Sequence, residues 1–286
     1  MSVKSSVITR FAPSPTGWLH LGHAYAALIA HDEAQRASGR FLLRLEDMDL
    51  ARSRPEYEQG IYDDLRWLGV EWETPVRKQS EHFADYRAAL EKLRAQKLLY
   101  PCFCTRKEIQ EEIARAGQAP HGPEGPAYPG MCKRLGMDEV TERITSGRDY
   151  ALRLDLEKAM ALAGHDLIWQ DLVHGKFTAD PSPLGDVVLA RKDTPTSYHL
   201  AVVVDDAAQG ITLVTRGEDL LSATHLHRVL QSLLGLTVPV WRHHQLITDE
   251  TGRRLAKRDD ARSLRTLRES GWTPQRVREV LNILKP

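Results

Sequence analysis

Apolar positions along the chain fall into strand-like and helix-like runs. SVITRFA (6–12) reads as a buried strand, and GHAYAALIAHDEAQRASG (22–39) as a helix ended by Gly39. RFLLRLED (40–47) is a second strand that places Glu46 and Asp47 at its carboxyl end. Two amphipathic helices follow. Ile61, Leu65 and Leu68 share one face, while Phe83, Tyr86, Leu90 and Leu93 line another. Strand, helix, strand at this spacing is a βαβ unit and predicts a parallel sheet.

The pattern breaks at Pro101. Beyond it lie all three cysteines and the Gly/Pro-rich loop GQAPHGPEGPAYPG (117–130), which predicts an inserted subdomain with little core of its own. Strand-like runs resume at DLIWQDLVHGKFT, GDVVLAR, SYHLAVVVDDA and ITLVTRG. SATHLHRVLQSLLG then reads as a helix with Ser222 as N-cap and Gly235 as its stop. The final 46 residues read as mainly helical, with Thr273 capping a helix that has Pro274 at its first position.

Composition narrows the class. The 286 residues are 42% hydrophobic and 27% charged, as in a globular protein. No apolar run approaches the roughly 20 residues that span a bilayer, and MSVKSSVITR lacks a signal-peptide core. The expectation is a cytoplasmic protein without membrane contact, and nothing demands more than a monomer. Net charge is zero, yet residues 253–286 carry ten Lys/Arg against four Asp/Glu. That basic stretch is either a solvated helical surface or a phosphate-facing patch.

GxxxxGK[ST], GxGxxG and HExxH are absent. The strand-to-helix turn at 12–22 nevertheless has the physics of an anion site. Helix N-terminal amides point outward there, the macrodipole is positive, and His20 and His23 add imidazole donors. Each well-aimed donor at a phosphate in displacement is worth about 3 kcal/mol. The plainer alternative is that one histidine caps the helix and the other packs. A second cationic cluster, TGRRLAKRDD (251–260), places Arg254 and Lys257 behind Gly252, able to reach a leaving pyrophosphate.

Together these blocks resemble a known family. HLGH (His20–His23) resembles the HIGH signature of class I aminoacyl-tRNA synthetases, and RLAKR (Arg254–Arg258) their KMSKS loop. RFAPSPTGWLHLGH, FLLRLEDMD, YHLAVVVDD and TRGEDLL are similar to the glutamyl-tRNA synthetase subgroup, in the same order along essentially the whole chain. The resemblance implies an α/β fold with a Rossmann-like parallel-sheet catalytic domain in two halves (1–101 and 166–240). It also implies a zinc-bearing insertion (102–165), and a KMSKS-like loop with a small helical C-terminal domain (241–286). The anticodon-binding region of the subgroup is not expected here. A short branch of the family shares that truncation and attaches glutamate to the queuosine base of tRNA(Asp).

The resemblance also implies roles. Arg10 and Arg216 bind the carboxylates of L-glutamate, Glu46 its ammonium, and Tyr198 and Ser14 supply hydroxyls, with Phe11, Ala12 and Pro13 completing the turn. His20, Gly22 and His23, with Arg254, Leu255, Ala256, Lys257 and Arg258, bind ATP, and Mg²⁺ bridges the leaving oxygens. His20, His23 and Lys257 stabilise charge as the glutamate carboxylate displaces pyrophosphate. An amide ligand would leave an arginine unpaired, so the pocket is expected to reject glutamine. Three cysteines within 31 residues point to one structural zinc. By the usual chemistry its fourth ligand is His121; the resemblance points instead to Tyr128, with Cys102, Cys104 and Cys132. Other readings are a truncated glutamyl-tRNA synthetase charging a tRNA 3′ end, a small-molecule adenylyltransferase, and a non-catalytic tRNA-binding paralogue.

Overall fold

The structure is a computed structural model that describes residues 6–116, 121–122, 125–192, 194–247 and 263–283. Its first half follows the expected βαβ path: β1 (Ile8–Phe11), α1 (Leu21–Arg36), β2 (Arg40–Leu45), α2 (Pro55–Trp67) and β3 (Glu73–Lys78). β1, β2 and β3 pair in parallel. Helix α1 ends at Arg36 rather than at the expected Gly39, and Ser38 takes the left-handed turn, at φ 49°. Gly39 serves another purpose, since a Cβ there would run into the Val7 carbonyl.

α3 (Phe83–Ala95) leads to β4 (Leu99–Cys102), α4 (Arg106–Ala116) and the short pair β5 (His121–Gly122) and β6 (Gly125–Pro126). α5 (Met137–Thr145), β7 (Ala151–Leu154) and α6 (Leu156–Ala163) follow. The run DLIWQDLVHGKFT folds as the antiparallel hairpin β8 (Ile168–Asp171) and β9 (Gly175–Thr178), and GDVVLAR provides β10 (Val188–Ala190). β7 pairs antiparallel with both β4 and β10. Beside this sheet sits a small cluster of Cys102, Phe103 and Cys132, flanked by Tyr100, Tyr128 and Tyr150.

The next apolar run corrects an expectation. SYHLAVVVDDA is not a strand but helix α7 (Tyr198–Ala208), buried at His199 through Val203 and again at Asp205 and Asp206. A continuously buried helix lacks the polar stripe that makes a 3.6-residue period visible, so apolar runs of this kind are ambiguous. β11 (Leu213–Gly217) and α8 (Leu221–Leu234) come next. Ser222 does not cap α8, because a short 3₁₀ turn at Glu218–Leu220 runs straight into it; Gly235 does close it, at φ 68°. The last 46 residues open with a strand, β12 (Val240–His244), before α9 (Leu264–Glu269) and α10 (Pro274–Val280). Thr273 caps α10 as expected, accepting from the Arg276 amide at 3.2 Å.

β12 pairs in parallel with β11 on one side and β8 on the other. Thr212 N–H donates to the Ile8 carbonyl at 3.0 Å, seating β11 beside β1. Strand order therefore reverses at β1/β11, the switch point where the carboxyl ends of an open parallel sheet leave a crevice. One core cluster packs α1, α2, α9 and α10 around β1 and β2. The other joins α3, α7 and α8 to both sheets.

Candidate active site

The switch-point crevice is a cavity of about 430 Å³. It is lined by Arg10, Phe11 and Ala12 from the end of β1, and by His20, Gly22 and His23 from the start of α1. Glu46 follows β2, Tyr198 begins α7, and Arg216 ends β11. Pro13 and Ser14, expected in the glutamate pocket, are not among the lining residues. Pro13 is buried with its carbonyl on the Glu46 amide (3.0 Å), and Ser14 is exposed. Arg254, Leu255, Ala256, Lys257 and Arg258 lie outside the described residues.

The two histidines serve the helix and the cavity together. His20 is the N-cap of α1 and its Nδ1 accepts from the Gly22 amide (3.1 Å), while Nδ1 of His23 accepts from the His20 amide (3.2 Å). Capping of this reciprocal kind satisfies orphan amides. It also fixes the tautomer: with both Nδ1 atoms accepting, each neutral ring carries its proton on Nε2. The rings lie 3.9 Å apart, at the mouth of a helix whose dipole favours an anion. Of the two readings of the sequence, helix capping is the one the geometry shows, and both histidines take part in it.

Behind the lining lies a buried charge network. Arg10 grips Asp206 with Nε (2.9 Å) and Nη2 (3.3 Å) and donates from Nη1 to the Thr215 carbonyl (3.2 Å). Three of its five N–H groups are thus engaged within the fold, leaving two beyond these bonds. Arg44, fully buried, donates to Asp206 (2.8 Å), Gln209 (3.0 Å) and Glu46 (3.3 Å). Burial would lift the Asp206 carboxyl, but Arg10 and Arg44 outweigh it and hold it below the ordinary carboxylate range. Burial wins at Glu46, which is raised despite Arg44 and Arg10. A carboxyl of that kind gains by pairing with a further cation.

Arg216 is different. It donates to Nε2 of His243 (3.1 Å), Tyr198 Oη (3.2 Å), Nδ1 of His227 (3.2 Å) and Thr224 Oγ1. None of these is a carboxylate. Burial pushes His227 well below the usual imidazole value and His243 down to about 4, with Arg216 adding to both, so each ring is neutral near pH 7. Burial also lowers Arg216 itself, with Tyr198 resisting and Arg10 adding to the effect. A buried guanidinium held by uncharged acceptors is short of an anion.

Arg44, Asp206, His227, His243 and Thr224 were not anticipated from the sequence. Two adjacent acids inside the apolar run at 197–207 were the available signal. On a strand, Asp205 and Asp206 would face opposite ways. On α7, the four-residue spacing carries Tyr198, Val202 and Asp206 along one face, and the first two line the cavity.

The sulfurs of Cys102, Cys104 and Cys132 lie within 4.8 Å of one another. Tyr128 Oη is 3.4 Å from Cys104 Sγ and accepts from the Cys132 amide at 2.8 Å. Thiolates around zinc at 2.3 Å stand roughly 3.8 Å apart, so the cluster fits such an ion. The side chain of His121 lies outside the described residues.

Residues 6–284 match the family model of the catalytic domain of class I tRNA synthetases (E and Q). The chain belongs to this family, and is therefore an enzyme of the aminoacyl-tRNA ligase class. Among its relatives it is 49% identical over 285 residues to the glutamyl-Q tRNA(Asp) synthetase of Rhodobacter capsulatus, covering 97% of this chain and 100% of that one. It is 38% identical over 282 residues to the glutamate–tRNA ligase of Aquifex aeolicus, covering 98% of this chain but 57% of that one. In three dimensions it resembles the glutamate-tRNA synthetase of Elizabethkingia anophelis, with a TM-score of 0.79 and 28% identity, over 94% of this chain and 60% of that one.

Proposed function

We propose that the chain activates L-glutamate with ATP and transfers it to the queuosine of tRNA(Asp), and that activation needs no tRNA. The observation that carries the first half is Arg216, a buried cation on the cavity wall whose hydrogen-bond partners among the described residues are all uncharged. A ligand carboxylate supplies the missing charge, and an amide does not. Arg10 offers its remaining donors to the second carboxylate, and Glu46 meets the ammonium. Tyr25, His244, Leu246 and Ile247 form an aromatic and apolar wall suited to a purine.

In this reading an oxygen of the glutamate α-carboxylate attacks the α-phosphorus of ATP, and the bond to pyrophosphate breaks. Nε2–H groups of His20 and His23 stabilise the charge that grows on the phosphate oxygens. Arg254, Lys257 and Arg258 would add positive charge for the phosphates, and Mg²⁺ entering with ATP would neutralise negative charge there. An acceptor on the queuosine base then takes the glutamyl group and AMP departs. Cys102, Cys104, Cys132 and Tyr128 would hold a structural zinc, tying the end of β4 to the turn before α5.

The queuosine acceptor is supported by a relative of that name whose whole length this chain covers. The test is glutamate-dependent ATP–pyrophosphate exchange with and without tRNA, followed by transfer of labelled glutamate to tRNA(Asp) with and without queuosine. Exchange without tRNA and transfer only to the queuosine form are expected. Exchange that requires tRNA, or label at a 3′ end, would replace this reading with a truncated glutamyl-tRNA synthetase.

A further inference from the structure

Two residues that do not line the cavity determine how Arg216 is presented to it. Asp171, at the end of β8, is buried and uses both oxygens. Oδ1 accepts from the turn amides of Val173 (2.8 Å) and His174 (2.9 Å); Oδ2 accepts from the amide (2.9 Å) and Nδ1 (2.7 Å) of His243 on β12. Nδ1 of His243 is therefore the protonated nitrogen, and its Nε2 lone pair faces Nε of Arg216. The Thr224 hydroxyl lies 3.1 Å from the same Nε2, and its oxygen accepts from Arg216.

We infer that His243, locked by Asp171, is a positioning residue that makes the pocket selective for a carboxylate, because it fixes the Arg216 guanidinium without neutralising it. The inference rests on Arg216 being the ligand of a glutamate carboxylate. Were an acid in direct contact with Arg216, the arginine would be paired before substrate arrived, and an amide ligand would cost little. Inserting one imidazole between Asp171 and Arg216 gives the arginine an acceptor of fixed direction. The aspartate stays a ring's width away. Burial keeps the ring uncharged, so the need for an anion persists.

The test compares His243→Asn and His243→Gln in the full chain. Asparagine reaches Asp171 but offers nothing at the Nε2 position; glutamine carries a carbonyl oxygen out toward it. Steady-state exchange is measured against glutamate, against ATP and with glutamine as competitor, beside a urea melt. His243→Asn should raise the glutamate KM by about tenfold or more and erode discrimination against glutamine by a similar factor. Its ATP KM should stay within about twofold of wild type. His243→Gln should recover most of the loss. Equal effects from both variants, or a parallel rise in ATP KM, would overturn the inference. Should His243→Asn not fold, Thr224→Val removes the hydroxyl between the same two groups. It should raise glutamate KM alone, and an unchanged KM counts against the inference. A wild type that shows no glutamate-dependent exchange defeats the functional reading itself, and is told apart by preceding any variant.

Discussion

Asp206→Asn tests the charge network most directly. Asp206 is 6% exposed and receives Arg10 on both oxygens and Arg44 on one. Arg10 and Arg44 pair with Glu46, Asp205 and Asp206, and Arg77 is shared between Asp205 and the more exposed Asp85. Asparagine keeps one acceptor, replaces the other with an NH₂ facing Arg10, and removes the negative charge that Arg10 and Arg44 share. Removing one partner of a buried pair costs about 3–5 kcal/mol, a large part of the roughly 5–15 kcal/mol that holds a domain folded. Urea unfolding at pH 7 should show that loss as a lower midpoint with unchanged slope. Arg10→Met combined with Asp206→Asn should be more stable than Asp206→Asn alone, because Arg44 keeps Glu46 and lies 3.7 Å from Asp205. A shift under about 1 kcal/mol, or a double variant as unstable as the summed singles, would refute the view that Asp206 compensates both arginines.

Acid should destabilise the protein through its buried imidazoles, with Asp64, raised by burial to about 6, working against them. His243 binds its proton near pH 4 in the fold against 6.5 when unfolded, so the unfolded state holds more protons in that window. Its contribution is intact above pH 6.5 and falls by about 3 kcal/mol on passing below pH 4, and His227 works in the same direction. Urea midpoints at pH 7, 5.5 and 4.5 should fall, and a flat profile would contradict the buried neutral imidazoles. Arg216→Met should lower glutamate-dependent exchange by at least about a hundredfold at subsaturating glutamate, measured as kcat/KM, since it removes a charge-assisted bidentate partner. His20→Asn should lower kcat about a hundredfold, read from exchange at saturating substrates. Elemental analysis should find equimolar zinc in the wild type, and Cys104→Ser should abolish it and lower the melting temperature, with glutamate KM little changed.

What could be read from residues alone was local. The βαβ start, the HLGH turn, the strand-end positions of Arg10, Glu46 and Arg216 and the cysteine spacing all depend on neighbours within a few tens of positions. The Thr273 and Pro274 helix start was legible for the same reason. SYHLAVVVDDA was misread because burial on every side erased its period, and Ser222 because the preceding 3₁₀ turn had already begun the helix. The partners of the site arginines were out of reach for a different reason. Arg10 meets Asp206 across 196 positions, and Asp171 meets His243 across 72. No spacing rule links residues that far apart. The sequence by itself determined which side chains stand at the strand ends and which cap the first helix, because these follow from backbone period and capping. Only the tertiary structure decided which arginine is paired and which is left wanting an anion. That difference comes from burial and from the acids or neutral rings that packing brings against each guanidinium.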